Sequence, residues 1–220
     1  MGTIKAQSIV TEALTTLLDP SQVRYSNTEL LGYLNDGQRE IVRLRPAANT
    51  VLSSIQLSAG TRQQIPAGGQ ELIDVIRGMG SDGQTPGRAV RQVDRHTLDA
   101  ANPLWHQDTA SLDIVHFMFD DRDPTHFYVT PPQPNPAGYV EVSYAAIPAD
   151  IALTDSITLA DSYSTGLLYY VLARAYAKDS GSADFNKASN YQQLFMSLLS
   201  GDVAAQQRLM PDQMAARAKH

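Results

Sequence analysis

Apolar side chains recur with helical spacing in two segments at the start of the chain, Thr3–Leu18 and Ser26–Pro46. The second segment opens with Ser26 and Glu29, the S-x-x-E spacing of a capping box, in which the serine oxygen accepts one backbone N–H and the glutamate reaches back to another. Pro46 ends the pattern because proline has no N–H and restricts the residue before it. A short loop joins the two helices, so we expect an antiparallel hairpin that needs apolar partners from later in the chain.

From Asn49 onward the pattern becomes typical of β-strands. The strand-like runs are, in order, Thr50–Leu52, Ser54–Leu57, Arg62–Ile65, Ile114–Phe119, His126–Val129 and Tyr139–Ala145. The runs Ile114–Phe119 and His126–Val129 flank a loop rich in Asp and predict an antiparallel hairpin, after which Pro131 and Pro132 form a rigid connection. Glu71–Gly78 suits either a buried strand or a short helix, which periodicity alone does not separate. A weak helix is predicted at Asp94–Ala101.

Helical spacing returns after Pro148. Asp161–Lys178 has a broad apolar face, and Ser182 or Asp184 can cap one further helix that ends just before Gly201. The residues expected to face inward on that last helix are Phe185, Ala188, Phe195, Leu198 and Leu199.

These elements predict an α+β fold in which the terminal helices form one bundle. We assign 1–48 together with 150–202 to the bundle, 49–149 to an antiparallel β-rich insertion, and 203–220 to an extended C-terminal tail. The tail has three basic side chains against one acidic, and its apolar residues form no wide face. Such a segment is either a frayed end or a segment that orders on a partner.

Composition narrows the class of protein. With 220 residues, 43% hydrophobic and 18% charged, the chain can bury a proper core. A net charge of −6 disfavours general binding of nucleic acid, which needs a concentrated basic surface. Cysteine is absent from the sequence, and no apolar run approaches the ~20 residues that span a bilayer. We therefore expect a protein that is made and used in the cytoplasm, or that is assembled there into something larger.

Two clusters suggest metal chemistry without establishing it. Asp120, Asp121 and Asp123 could bind a hard cation, but the order of ligands differs from an EF-hand, and a solvated turn explains them better. His116 and His126 flank the same loop and are expected to face each other across the hairpin, where packing is a better explanation than a metal site with two ligands. No metal site or cofactor is predicted.

Catalytic motifs are weak as well. The loop Gly78–Gly87 lacks the G-K-[ST] ending of a P-loop, so we interpret it as a flexible surface loop. His96, Asp99 and Ser111 could form a triad, but no nucleophile elbow accompanies them. Trp105 either fills the core or faces a partner, and both alternatives stay open. We predict no catalytic residue and no enzymatic activity.

Three arginines near the end of the second helix, Arg39, Arg43 and Arg45, could meet phosphates or an acidic partner. Cations are also favourable at a helix C-terminus, and that explanation suffices for any one of them.

The ten residues Tyr33–Val42, YLNDGQREIV, resemble the second helix of tailed-phage head–tail connector proteins, the portal adaptors or tail tubular proteins. Phe127–Pro132, FYVTPP, is similar to a second segment of that family, and Tyr163–Ala177, followed by Lys178 and Asp179, to a third. Gly37 stands where the family commonly has alanine, which costs helix propensity but allows close helix crossing.

The resemblance implies a structural protein of the virion, forming a dodecameric ring beneath the portal protein. The ring would extend the channel through which packaged DNA passes without sequence-specific binding, and would receive the tail nozzle or tail tube. By this resemblance the C-terminal segment engages the portal, with Arg208, Leu209, Met210, Met214 and Arg217 as the candidate residues. Candidates for ring packing or the channel are Arg39, Arg43 and Arg45, and for the tail side Asp120, Asp121, Arg122 and Asp123. The alternatives are a phage-associated hydrolase and a soluble binding module.

Overall fold

The computed structural model describes residues 2–120, 122–178 and 184–209, with side chains as far as Gly201. Within these ranges the helices are α1 (Ala6–Thr16), α2 (Asn27–Leu44), α3 (Arg95–Ala101), α4 (Ser164–Tyr176) and α5 (Phe185–Leu209). The strands are β1 (Thr50–Gln56), β2 (Gly60–Gln64), β3 (Gly69–Gly78), β4 (Arg91–Gln92), β5 (His116–Asp120), β6 (Asp123–Gln133) and β7 (Tyr139–Ala146). The predicted α+β class is confirmed. The chain divides after Ala48 and after Ile147 into a helical unit and a β-rich unit.

In the helical unit, α4 packs against α1, α2 and α5. The apolar stripes of these helices meet in one core, which includes Ile9, Val10, Leu14, Leu30, Leu34, Ile41, Leu167, Val171 and Phe195. Burial of such stripes supplies most of the stability of helices this short, since propensity alone leaves them marginal in water.

The helix α2 begins as its sequence predicts. Ser26 Oγ accepts the backbone N–H of Glu29 at 3.1 Å, which satisfies one of the donors that a helix start leaves unpaired. The carboxylate of Glu29 accepts the Tyr33 hydroxyl at 2.9 Å and Lys178 Nζ at 2.9 Å. Lys178 follows α4, so the start of α2 is tied to the end of α4.

The helix α5 departs from the prediction at both ends. Asp184 caps it through the N–H of Lys187, and Ala188, Phe195 and Leu199 are buried as expected. Phe185 and Leu198 were expected inside and are 69% and 40% exposed, because α5 packs mainly against α4 and a single neighbour covers only a narrow stripe.

The end of α5 lies further along the chain than the sequence indicates. The helix continues through Gly201 to Leu209, so the predicted helix end just before Gly201 is wrong. Glycine lowers helix propensity by ~1 kcal/mol relative to alanine but does not by itself end a helix. Residues 210–220, and Ser182 as a candidate cap, lie outside the described residues.

The β-rich unit contains two sheets with strand orders β1-β7-β3 and β2-β6-β5-β4. In the first, β7 is central and antiparallel to both neighbours, with Val142 opposite Val75. In the second, β5 and β6 form the predicted hairpin, in which Phe119 lies opposite Phe127. The residues buried in this unit include Leu72, Val75, Phe117, Phe127, Val129, Val140 and Val142.

The structure decides or corrects several local predictions for the β-rich unit. Glu71–Gly78 belongs to a strand, which decides between the two alternatives left open. Residues 62–64 of the predicted run lie in β2, which pairs with β6 and not with the strand just before it. Pro131 and Pro132 belong to β6 and not to a separate connection. The weak helix is confirmed, with Asp94 Oδ1 accepting the N–H of Thr97 at 3.0 Å.

Candidate interaction surfaces

The motif on α2 fastens the chain segment that returns from the β-rich unit. Asn35 Oδ1 accepts the N–H of Ile151 at 3.2 Å, and its amide nitrogen donates to the Ile151 carbonyl at 3.3 Å. Gln38 is fully buried, and its Oε1 accepts the N–H of Thr158 at 2.7 Å. Asn and Gln can pair with backbone as donor and acceptor at once. These two motif residues therefore build the scaffold of the helical unit.

The three candidate arginines occupy different environments. Arg39 forms ion pairs with Asp36, at 2.7 Å, and with Asp150. Arg43 donates twice to the carboxylate of Glu40, at 2.6 and 2.8 Å, and this hydrogen bonding lowers the pKa of Glu40. These three ion pairs are partly exposed to solvent, so each adds little stability.

Arg45 lies inside the helical unit. Its side chain is buried, and its guanidinium lies 5.7 Å from the centre of the Tyr163 ring, within the range of a cation–π contact. A channel-facing role for this residue therefore has no geometric support in the subunit, whereas Arg39 and Arg43 remain on the surface.

The acidic turn between β5 and β6 is organised by its own hydrogen bonds. Asp120 Oδ1 accepts the N–H of Arg122 at 2.9 Å. Asp123 accepts His126 Nδ1 at 2.8 Å and lies 3.4 Å from Arg62, and the hydrogen bond from His126 is the main cause of its lowered pKa. Asp121 lies outside the described residues. The described carboxylates thus shape a surface turn.

His116 and His126 do not face each other, and that prediction is wrong. His116 lies opposite Thr130, because the strands turn over only two residues and the register sets Phe119 against Phe127. Across the described part of the chain, no group of three or more potential ligands could hold a metal ion.

Trp105 is a core residue, which decides between its two alternatives. It is 1% exposed, stacks on His106 with ring centres 3.5 Å apart, and meets the edge of Tyr128. Its indole N–H donates to Asp99 Oδ1 at 2.8 Å. Asp99 therefore positions the tryptophan. Its described hydrogen bonds do not include one to His96, which a catalytic triad would need.

The glycine-rich loop is exposed and anchored. Asp82 accepts the N–H groups of Gln84 and Thr85 and the Thr85 hydroxyl, and these bonds lower the pKa of Asp82 to about 2. Gly83 has φ +71° and lies against Tyr139, where a β-carbon would come within 2.8 Å of the ring. These contacts fix the loop on its own unit.

The turn between α1 and α2 is a surface feature that the sequence reasoning missed. Leu18 and Val23 are each 88% exposed, the highest exposure among the large apolar side chains of the described residues. Asp19 holds the turn, because its carboxylate accepts the N–H groups of Val23, Arg24 and Tyr25 at 2.8–2.9 Å. The signal available was an Asp-Pro break flanked by apolar residues.

A groove between α4 and α5 is the second missed feature. It encloses about 320 Å³ and is lined by Ala173, Arg174, Ala177, Phe185, Ala188, Ser189 and Gln192. Three of these residues are alanines, and Phe185 is 69% exposed. Small residues at corresponding positions of two neighbouring helices were the signal available in the sequence.

The C-terminal candidates lie at or past the end of the described residues. Arg208 and Leu209 form the last positions of α5, and their side chains are outside the description, as are Met210, Met214 and Arg217 entirely. None of the described helices is long and apolar enough to cross a bilayer.

Comparison with known protein families decides the identity of the chain. Residues 4–218 match the family described as SU10 adaptor protein. The chain belongs to the SU10 adaptor protein family. No curated protein matches it. Membership of a family of phage structural adaptors agrees with the predicted non-enzymatic role and implies interaction with other virion proteins.

Proposed function

We propose that this SU10 adaptor joins the head and tail of a bacteriophage particle as a homo-oligomeric ring, expected to be a dodecamer, beneath the portal protein. The observation that carries the proposal is the family match over residues 4–218, nearly the whole chain. The ring extends the DNA channel and presents a docking platform for the tail nozzle or tail tube.

The geometry of α5 supports a portal contact by the C-terminal segment. This helix packs on α4 through Tyr191, Phe195 and Leu199, and then continues for ten residues to Leu209. An α-helix rises 1.5 Å per residue, so these ten residues carry the chain ~15 Å along the helix axis. We assign portal binding to Arg208, Leu209, Met210, Met214 and Arg217.

Surface charge supports a channel that does not retain DNA. The chain carries a net charge of −6, and the exposed arginines Arg39 and Arg43 are each paired with a carboxylate. Phosphate binding by a protein grows with the number of unpaired cations it presents. We assign ring packing or the channel lining to these two arginines, and the tail-side contact to the turn at Asp120–Asp123.

Mixing the purified chain with rings of its cognate portal protein, followed by cryo-electron microscopy, tests the proposal. We expect a second ring of portal symmetry on one face of the portal, with density for the C-terminal segment reaching into it. Portal rings without added density, in the presence of a subunit whose circular dichroism shows the folded state, would overturn the proposal.

A further inference from the structure

The strand β1 forms one edge of its sheet and presents a long, regular row of backbone groups. Its seven residues pair with β7 from Thr50 opposite Ala145 to Gln56 opposite Tyr139, without a register shift. Every second residue of an antiparallel strand directs its N–H and C=O away from the neighbouring strand. Among the described residues, the backbone of 51–56 hydrogen-bonds only to β7. The outward row of donors and acceptors along this stretch therefore has no partner within the described chain.

The other three sheet edges of the described chain are protected against strand pairing. The strand β4 has only two residues. The pairing of β2 shifts register between Gly60 and Arg62, and the strand carries that arginine. The pairing of β3 shifts register in three places, and its charged residues are Glu71, Asp74 and Arg77. Short length, irregular register and charge are the features by which soluble proteins keep sheet edges from pairing, and β1, with the sequence TVLSSIQ, has none of them.

The core side of β1 is incompletely covered, which leaves apolar surface for a partner to bury. Val51 and Ile55 pack against the core of the β-rich unit but stay partly exposed, whereas the residues opposite them on β7, Tyr144 and Val140, are buried. Side chains at alternate positions share one face of a strand, so both lie on the face that the core occupies. A strand added at this edge would gain main-chain hydrogen bonds and would also bury these two side chains.

A second copy of this chain offers no suitable strand from its described part. Pairing of β1 with itself would join copies in twos about a two-fold axis, which does not continue round a ring. Pairing with β2, β3 or β4 of a neighbour would meet an irregular, charged or short edge. Membership of the adaptor family, in contrast, implies contact with other virion proteins. The observations therefore favour a strand from a different polypeptide.

We infer that β1 is the docking site for an extended segment of another virion protein, which adds a fourth strand to the sheet β1-β7-β3. A segment of about seven residues matches the length of β1, with apolar side chains at alternate positions to cover Val51 and Ile55. In this mode of recognition the main-chain hydrogen bonds provide affinity and the alternate side chains provide specificity. The inference rests on the proposed function, which brings such proteins next to the subunit.

Cryo-electron microscopy of the assembled head–tail junction tests the inference directly. We expect density for one further strand beside β1 that is continuous with a polypeptide other than the adaptor. A ring beneath the portal whose β1 edges are bare would overturn this inference and leave the proposed function standing. A ring whose β1 edges are covered by another copy, or by residues 210–220 of the same chain, would do the same. Absence of the ring from the junction would overturn both.

Amide hydrogen exchange provides a second readout on the full-length chain. The outward N–H groups of Thr50–Gln56 should exchange more slowly, by about tenfold or more, in isolated head–tail junctions than in the free subunit, because strand pairing removes them from water. This comparison uses the unchanged chain and so does not depend on the folding of any variant. Equal exchange in the free and the assembled subunit would overturn the inference.

A pair of matched variants separates strand pairing from general coverage of this surface. Ser53→Lys places a charge on the core side of the edge, where it reaches solvent in the free subunit but would be buried by an added strand. It should abolish the slowed exchange or the assembly itself. Ser54→Lys is the same change on the opposite face, where it costs an exposed hydrogen bond to the Gly83 carbonyl, and it should preserve both. Urea titration checks that the two variants fold, and equal behaviour of two folded variants would overturn the inference.

Discussion

Gly37 of α2 lies directly against the ring of Tyr170 on α4. A β-carbon at Gly37 would come within 3.0 Å of Tyr170 Cδ1 and 3.2 Å of Leu167 Cδ2, closer than such atoms normally approach. The Tyr170 ring also packs against Phe195 of α5, with ring centres 5.3 Å apart. The glycine expected from sequence to permit a close helix crossing therefore sits where α2, α4 and α5 meet.

This contact predicts different outcomes for two glycines of the same helix. Gly32→Ala should raise the free energy of unfolding by ~1 kcal/mol, because nothing lies within 4 Å of the added methyl and alanine is the better helix former. Gly37→Ala should raise the free energy of unfolding clearly less, since overpacking against Tyr170 and Leu167 offsets the same gain in helix propensity. Urea titration of both variants decides this, and equal gains would refute the tight crossing.

The end of α1 is strained, because Leu18 has φ +56° there, and this strain predicts a stabilising mutation. Leu18→Gly should raise the free energy of unfolding of the isolated subunit by ~0.5–1 kcal/mol, because glycine accepts the left-handed conformation that leucine resists. Leu17→Gly is a control of opposite sign: Leu17 has φ −76°, gains nothing from glycine and packs against the helical core, so this change should destabilise by more than ~1 kcal/mol. Thermal unfolding measures both. A destabilised Leu18→Gly would mean that the leucine is retained for the subunit itself.

The sequence predicted those elements that are determined by residues close together in the chain, and missed those that depend on distant residues. Ser26 and Pro46 define α2 through contacts within a few residues, and the β5–β6 hairpin follows from two runs close in sequence. The pairing of β2 with β6 spans more than 60 residues, which no local pattern encodes. Phe185 was misplaced because a periodic stripe does not reveal that α5 has one main helical neighbour.

The candidate surfaces were harder to predict for a related reason. Strain at Leu18 depends on a backbone angle, and the sequence rules lead us to expect glycine there. Ala173 and Ala188 line one groove only because α4 and α5 pack together, and the sequence alone does not show that packing. The motif residues Asn35 and Gln38 were recognised by resemblance, but their role in holding 151–158 appeared only with the fold.

Asp161 predicts how stability changes with pH. It accepts the hydroxyl of Thr3 at 2.6 Å and the N–H groups of Thr3 and Ile4, and these bonds, the hydroxyl first, hold the pKa of Asp161 below its ordinary value of 3.8. A lowered pKa gives stability that is present above pH ~4 and is lost as the pH falls through the folded-state value.

Replacing this carboxylate should therefore flatten the acid limb of the stability curve. Asp161→Ala should lower stability at pH 7 and lose less on acidification from pH 5 to 3 than the parent chain, as measured by urea titration at each pH. Thr3→Val keeps both N–H donors and should show a smaller change of the same sign. An unchanged acid limb in Asp161→Ala would show that the contact does not distinguish the protonation states.

The hydrogen bond from the Trp105 indole predicts that replacing Asp99 lowers the stability of the β-rich unit. Removing the acceptor with Asp99→Ala leaves a buried N–H unpaired and should destabilise the β-rich unit by ~1–3 kcal/mol. Arg95→Ala is the control: it removes only the exposed partner 3.9 Å from Asp99 and should cost less than ~0.5 kcal/mol. Trp105 is the sole tryptophan, so its fluorescence reports the transition. Equal effects of the two changes would contradict the buried hydrogen bond.

Removing residues 210–220 separates folding from portal binding. The described packing of α5 on α4 ends at Leu199. A chain that stops after Leu209 should therefore have a free energy of unfolding within ~0.5 kcal/mol of that of the full chain. Its binding to portal rings should be lost, because Met210, Met214 and Arg217 are absent.

A chain with the same eleven residues in scrambled order is the matched control, since it keeps their charge and composition. If the truncated chain loads portal rings as well as the full one, the portal contact lies elsewhere. Binding restored by the scrambled chain would show that composition suffices and that no specific side chain is recognised.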